Sequence, residues 1–212
     1  ATKQNRKINI SVVKQVLNEC FMPVTVGGGI STINDIKDLL NAGADKVVIK
    51  TSALKNPSLI EEGAKMFGAQ CMVVSVDVTK TNKGVELYGN GIDNLPNVKT
   101  FIELMQNNGA GEFFINHVDN DGMMQGMNNE VFENVMQYTK APVIICGGAG
   151  TPSHIAETME KVKANAIAAA SIFHFTRFTP YDVKYALSKK NIPIRLFDDF
   201  KQASVNYTKD GQ

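Results

Sequence analysis

Tryptophan is absent from the 212 residues, and only three cysteines occur, Cys20, Cys71 and Cys146. They lie far apart, form no Cys-x-x-Cys pair and are odd in number. They read as reduced core thiols, not as a disulfide framework or a zinc site. The three histidines, His117, His154 and His174, share no ligand spacing, so no metal is expected. His154 reads as a surface helix residue and His174 as a packing one. An excess of one charge is also missing. Lys and Arg number 22 against 21 Asp and Glu, which removes any electrostatic case for nucleic acid or a membrane surface. No apolar run approaches the roughly 20 residues of a membrane-spanning helix. The opening stretch "ATKQNRKINIS" has no apolar core of a secretion signal. The expectation is a cytoplasmic α/β protein without cofactor.

Short apolar runs rich in β-branched residues are present instead: 23–27, 46–50, 71–78, 113–118, 142–146 and 166–171. Each is nearly continuous, as strands buried on both faces should be. Helical periodicity separates them. In "STINDIKDLLNAGA" the positions Ile33, Ile36, Leu39 and Leu40 share a face, Ser31 or Thr32 can cap the start, and Gly43 suits the end. Pro57 opens and Gly68 closes a second helix. Further helices are expected at 8–21, 96–108, 128–139, 152–163 and 179–190. Strict alternation of strand and helix predicts a parallel sheet covered by helices.

Two strands end in glycine pairs, "VGGGI" at 26–30 and "CGGAG" at 146–150, and Gly27 and Gly147 are 120 residues apart. The same offset places Ser31 on Thr151, Ala44 on Ala164, Val47 on Ile167 and Thr51 on Ser171. A duplicated half-barrel accounts for this spacing. The strands at 71–78 and 113–118 would then have counterparts before Ala1. Six visible strands plus two make the eight of a (β/α)8 barrel, with about 50 preceding residues absent from this sequence.

Strand, Gly-Gly, then helix start is phosphate chemistry, because glycine lets the backbone approach an anion and free N–H groups point at it. One such site is expected around Gly28, Gly29, Lys50 and Thr51, and another around Gly148, Ala149, Ala170 and Ser171. Two sites suit a substrate with a phosphate at each end. The alternative is that these glycines serve tight turns only.

Asp77 closes its strand at the C-terminal end, where barrels keep their chemistry, and a carboxylate there can shuttle protons. Lys46 and Glu112 open their strands at the opposite end. They share parity with Lys50 and Asn116, so all four are expected to face inward. The stretch "NKGVELYGNG" (82–91) alternates and reads as a small hairpin over the site.

The motifs "TVGGGI", "GADKVVIKTSALKNPSLI", "VVSVD", "GAGEFFINHVDNDG", "ICGGAG" and "AAASIFHF" resemble, in order, the cyclase subunit of imidazole glycerol phosphate synthase, the HisF family. The likeness runs to about Arg195. It implies a (β/α)8 barrel of two similar halves and a phosphorylated substrate at the top face. Ammonia would come from a HisH-like glutaminase docked at the bottom face. It implies that Asp77 is one of two catalytic aspartates, that Asp121 and Gly122 bind substrate, and that Lys46 and Glu112 belong to a charged ammonia gate with Asp45 on the partner-facing rim. The chain departs from the family at Lys50 (usually Asn), Asn116 (usually Thr), Asn120 (usually Arg), Met123 (usually Thr) and Cys146 (usually Ser). Three readings follow. The first is the histidine-pathway cyclase. The second is a paralogue that helps a glutaminase amidate a sugar nucleotide for surface polysaccharide. The third is a non-catalytic barrel that activates a glutaminase.

Overall fold

A computed structural model describes residues 8–89 and 91–195. The C-terminal tail from 196 on, for which no chemistry was expected, lies outside the described residues. Among the described residues seven strands occur: β1 (Thr25–Gly27), β2 (Lys46–Ile49), β3 (Met72–Thr81), β4 (Gly84–Leu87), β5 (Glu112–His117), β6 (Val143–Cys146) and β7 (Ala166–Ala168). The helices are α1 (Ile10–Glu19), α2 (Ile33–Asn41), α3 (Thr51–Lys55), α4 (Ser58–Phe67), α5 (Val98–Asn107), α6 (Asn129–Met136), α7 (Pro152–Val162), α8 (Ser171–Phe175) and α9 (Pro180–Lys189). Six strands run parallel in the order β1-β2-β3-β5-β6-β7, and β4 pairs antiparallel with β3. Neighbours in sequence are neighbours in space, which is the order of a (β/α)8 barrel, and six of its eight strands are here.

The sheet has two unlike faces. Val47, Ile49, Met72, Val74, Val76, Phe113, Ile115, Val143 and Ile145 are all buried and point to the helices. There they meet Ile36, Leu39, Ile60, Phe101, Ile102 and Phe132 from the covering helices. The other face is the barrel interior, and it carries the expected inward set. Register aligns Val73 with Glu112, Ser75 with Phe114, and Asp77 with Asn116, which in turn pairs with Cys146. No described helix is long and apolar enough to cross a membrane.

The helix starts follow local chemistry. Thr32 and Asp35 form a reciprocal capping box at α2, and Thr179 and Asp182 another at α9. Thr151 caps α7, with Pro152 in its first turn. The structure amends the repeat. Thr32 and Thr151 are the true capping equivalents, so the offset is 119 at the glycine loops. It becomes 120 only after the helices, where Gly43 (φ 107°) and Lys163 (φ 55°) both end a helix in the left-handed region. The second half carries one extra residue inside this helix unit. Thr51 begins the short helix α3, and Ser171, expected inside the strand run 166–171, begins the short helix α8. Their preceding residues, Lys50 (φ −117°, ψ −80°) and Ala170 (φ −128°, ψ −57°), adopt similar unusual turns.

Candidate functional site

At the C-terminal strand ends Asp77, Asn116 and Cys146 stand in register, and Lys50, just past β2, reaches Asp77. Asp77 is held twice. The Lys50 ammonium donates to its Oδ2 as an ion pair, and the Ser75 hydroxyl lies 3.4 Å from its Oδ1. Both partners of the ion pair are largely shielded, with side chains 28% and 12% exposed. The hairpin adds a wall. It joins the end of β3 to β4, Thr81 pairing with Gly84 across the turn, so its first arm lies before the stretch 82–91 in which a hairpin was expected. Beyond it the Tyr88 N–H donates to the Asp77 carbonyl at 2.8 Å, and the Tyr88 ring lies 5.9 Å from Lys50 Nζ.

Cys146 reports what surrounds it. Burial, and then the negative charges of Asp121 and Asp77, push its thiol up to about 11. Asp121, from the loop after β5, is therefore close enough for its charge to reach Cys146. The buried Oδ1 of Asn116 has no hydrogen-bond partner among the described residues. A buried amide oxygen in that state is an acceptor waiting for a donor.

The two glycine loops are less alike than their sequences. Gly28 (φ 97°) and Gly29 (φ 78°) sit in the left-handed region, and a Cβ on Gly28 would meet nothing within 4 Å. That loop is tied to the following helix by the Ser52 hydroxyl, which donates to the Ile30 carbonyl. Gly148 has the same φ, 98°, but is buried, and a Cβ there would lie 2.0 Å from the Gly126 carbonyl oxygen. The loop carrying Asp121 and Gly122 runs across it. The Gly126 N–H donates to the Gly148 carbonyl at 2.9 Å, and Asn120 Nδ2 donates to the Gly126 carbonyl at 2.9 Å. Ala149 is buried beside it, whereas Ala170 is exposed and Ser171 half-buried.

At the opposite end, Lys46 Nζ and Glu112 Oε2 form an ion pair of 2.6 Å across β3. Asp45 Oδ2 accepts from the Val24 N–H at 2.7 Å and fixes the entry of β1 beside β2. A cavity of about 350 Å3 opens at this end, lined in part by Phe21, Met22, Pro23 and Asp45. Phe21 is 99% exposed.

The sequence matches, over residues 1–179, the family described as histidine biosynthesis protein. The imidazole glycerol phosphate synthase subunit HisF of Bacillus cereus (strain AH187) is 42% identical over 203 residues, covering 92% of this chain and 79% of the relative. The chain belongs to the HisF family. Among the candidate residues of this HisF-family chain, the fold brings Lys50, Asp77, Asn116 and Asp121 to one end. It brings Asp45, Lys46 and Glu112 to the other.

Sequence reasoning missed Tyr88, and only the period-two parity of Ser75 hinted that it reaches Asp77. Asp119 belongs to the turn after β5. It accepts from the Thr79 hydroxyl (2.8 Å) and the Lys80 N–H (2.8 Å), and lies 3.1 Å from His117 Nε2. Burial works against its charge, but these bonds and the imidazole outweigh it and hold its carboxyl below the usual carboxylate range. Asp119 thus clamps the hairpin to the loop after β5. His117 is buried on the helix side of the sheet, edge-on to Phe132. His154 is half-buried and accepts from the Gly150 N–H through Nδ1 (3.3 Å), while His174 is exposed, not packed as expected. Among the described residues no group of His, Cys, Asp or Glu side chains is placed to hold a metal ion.

Proposed function

We propose that this protein is the ammonia-dependent cyclase subunit of an imidazole glycerol phosphate synthase in histidine biosynthesis. It converts a bis-phosphorylated ribulosyl-aminoimidazole compound into imidazole glycerol phosphate and an aminoimidazole carboxamide ribotide. The observation that carries the reading is the 42% identity to a HisF subunit over nearly the whole chain. The barrel of this reading has eight strands, of which this chain supplies six. Asp77 exchanges protons during ring closure and bond cleavage. Asn116, Asp121 and Gly122 hold the substrate between two phosphate sites, at Gly28, Gly29 and Thr51 and at Gly148, Ala149, Ala170 and Ser171, while Lys50, expected at the first site, pairs with Asp77. A HisH-like glutaminase docks at the opposite end against Asp45, and ammonia enters past the Lys46–Glu112 pair. The work is done in the cytoplasm. Turnover by the full-length protein with free ammonium at high pH, and its loss in Asp77→Asn, is the test. A folded wild-type protein that turns nothing over sinks the reading.

One observation favours a second reading, a paralogue that works with a glutaminase to amidate a sugar nucleotide. A lysine holds the Asp77 carboxylate where the family usually carries asparagine. Under that reading the barrel passes ammonia on, and Asp77→Asn leaves glutamine-dependent amidation intact.

A further inference from the structure

Lys50 is a departure from its family, and it points its charge at Asp77, the carboxylate read above as the proton-transfer group. A free aspartate at a strand end can rotate about χ2 and present either oxygen. Here Oδ2 is bound by the Lys50 ammonium, whereas Oδ1 keeps only the long contact with the Ser75 hydroxyl. The lysine is itself braced. It follows β2 directly, precedes α3, and has the Tyr88 ring beside its ammonium. Tyr88 is in turn tied through its N–H to the Asp77 carbonyl. Three strand ends, β2, β3 and β4, thus converge on one carboxylate.

We propose that Lys50 is a positioning residue, whose ammonium fixes Asp77 Oδ2 so that Oδ1 is the oxygen that exchanges a proton with the substrate. The inference rests on the reading of Asp77 given above. The proton taken by Oδ1 returns to the substrate or to water within the turnover, and none passes through Lys50. Its partner oxygen then serves as the carbonyl end of the transient carboxylic acid. Misplacing a reacting group by about an ångström can lower a rate on the order of 10²-fold.

The test uses the full-length enzyme, free ammonium and the bis-phosphorylated substrate. Lys50→Met keeps the stem and removes the charge. Lys50→Arg keeps a cation in reach. The expected result is a fall in kcat of about 10- to 100-fold in Lys50→Met, with KM within about twofold and an unaltered far-ultraviolet spectrum. Lys50→Arg should recover most of the loss. In an Asp77→Asn background, Lys50→Met should cost nothing more, because its action runs through that carboxylate. An unchanged kcat in Lys50→Met overturns the proposal. So does a rise in KM alone, which would make Lys50 a substrate contact, or an equal loss in the Asp77→Asn background. A folded wild type without turnover overturns both this inference and the reading beneath it. An active wild type matched by Lys50→Met overturns the inference alone.

Discussion

Gly28 and Gly148 form a natural pair for measuring what a glycine loop needs. Their φ angles are 97° and 98°, so alanine meets the same backbone penalty at both, roughly 1–2 kcal/mol. Their surroundings differ. Alanine at 28 meets open space, whereas alanine at 148 puts a methyl 2.0 Å from the Gly126 oxygen and 3.2 Å from Asn120 Cβ. The nearest contacted atom is a backbone oxygen, so the loop after β5 must lift. Lifting breaks the bond from the Gly126 N–H to the Gly148 carbonyl, worth about 0.5–1.5 kcal/mol, and unseats the contacts around Asn120. Gly148→Ala should therefore be less stable than Gly28→Ala by about 1.5–3 kcal/mol. At roughly 2–4 °C per kcal/mol for a chain of this size, its Tm should be lower by several degrees. Urea unfolding followed by circular dichroism measures both variants. Equal destabilisation would refute the argument that tertiary contact, and not φ, makes Gly148 indispensable.

Other outcomes are equally definite. Asp77→Asn should lower kcat with free ammonium by about 10²- to 10⁴-fold with little change in KM, read in steady-state kinetics. With its thiol near 11, Cys146 should alkylate slowly at pH 8, and Asp121→Asn should speed iodoacetamide labelling of that cysteine severalfold by removing a charge that opposes the thiolate. No change in the labelling rate, followed by mass spectrometry, would place Asp121 away from Cys146. Asp119 has a folded-state value below the ordinary 3.8, so its contribution is present above that value and lost as pH falls through the lower one. Amide exchange of the hairpin should accelerate in that acid range, and Asp119→Asn should remove the pH dependence. Lys163 occupies a left-handed helix end at φ 55°, so Lys163→Gly should raise stability by about 0.5–1 kcal/mol in the same urea assay.

Much of the fold was legible locally. The β-branched runs named all six parallel strands, because a strand buried on both faces must be apolar throughout. The start of α2 was legible at Ser31 or Thr32, because capping is a matter of a few adjacent residues, and Thr32 takes the role. Parity put Lys46, Lys50, Asp77, Glu112 and Asn116 on one face, since side chains alternate along any strand. The 120-residue repeat was visible too, although its one-residue slip at the glycine loops was not. The slip shows only in which threonine caps and which residue turns left-handed.

What the tertiary structure decided are the pairings between distant residues. Lys46 meets Glu112, 66 residues on, because register sets both at the same end of the interior face. Lys50 meets Asp77 rather than standing free beside a glycine loop. Gly148 is needed because another loop's backbone lies on it, and Gly28 because its own chain turns there. Spacing along a chain fixes which side a residue faces. Which charge lies opposite it depends on strand register and on the path of loops, and these are set by burial of the whole sheet against its helices.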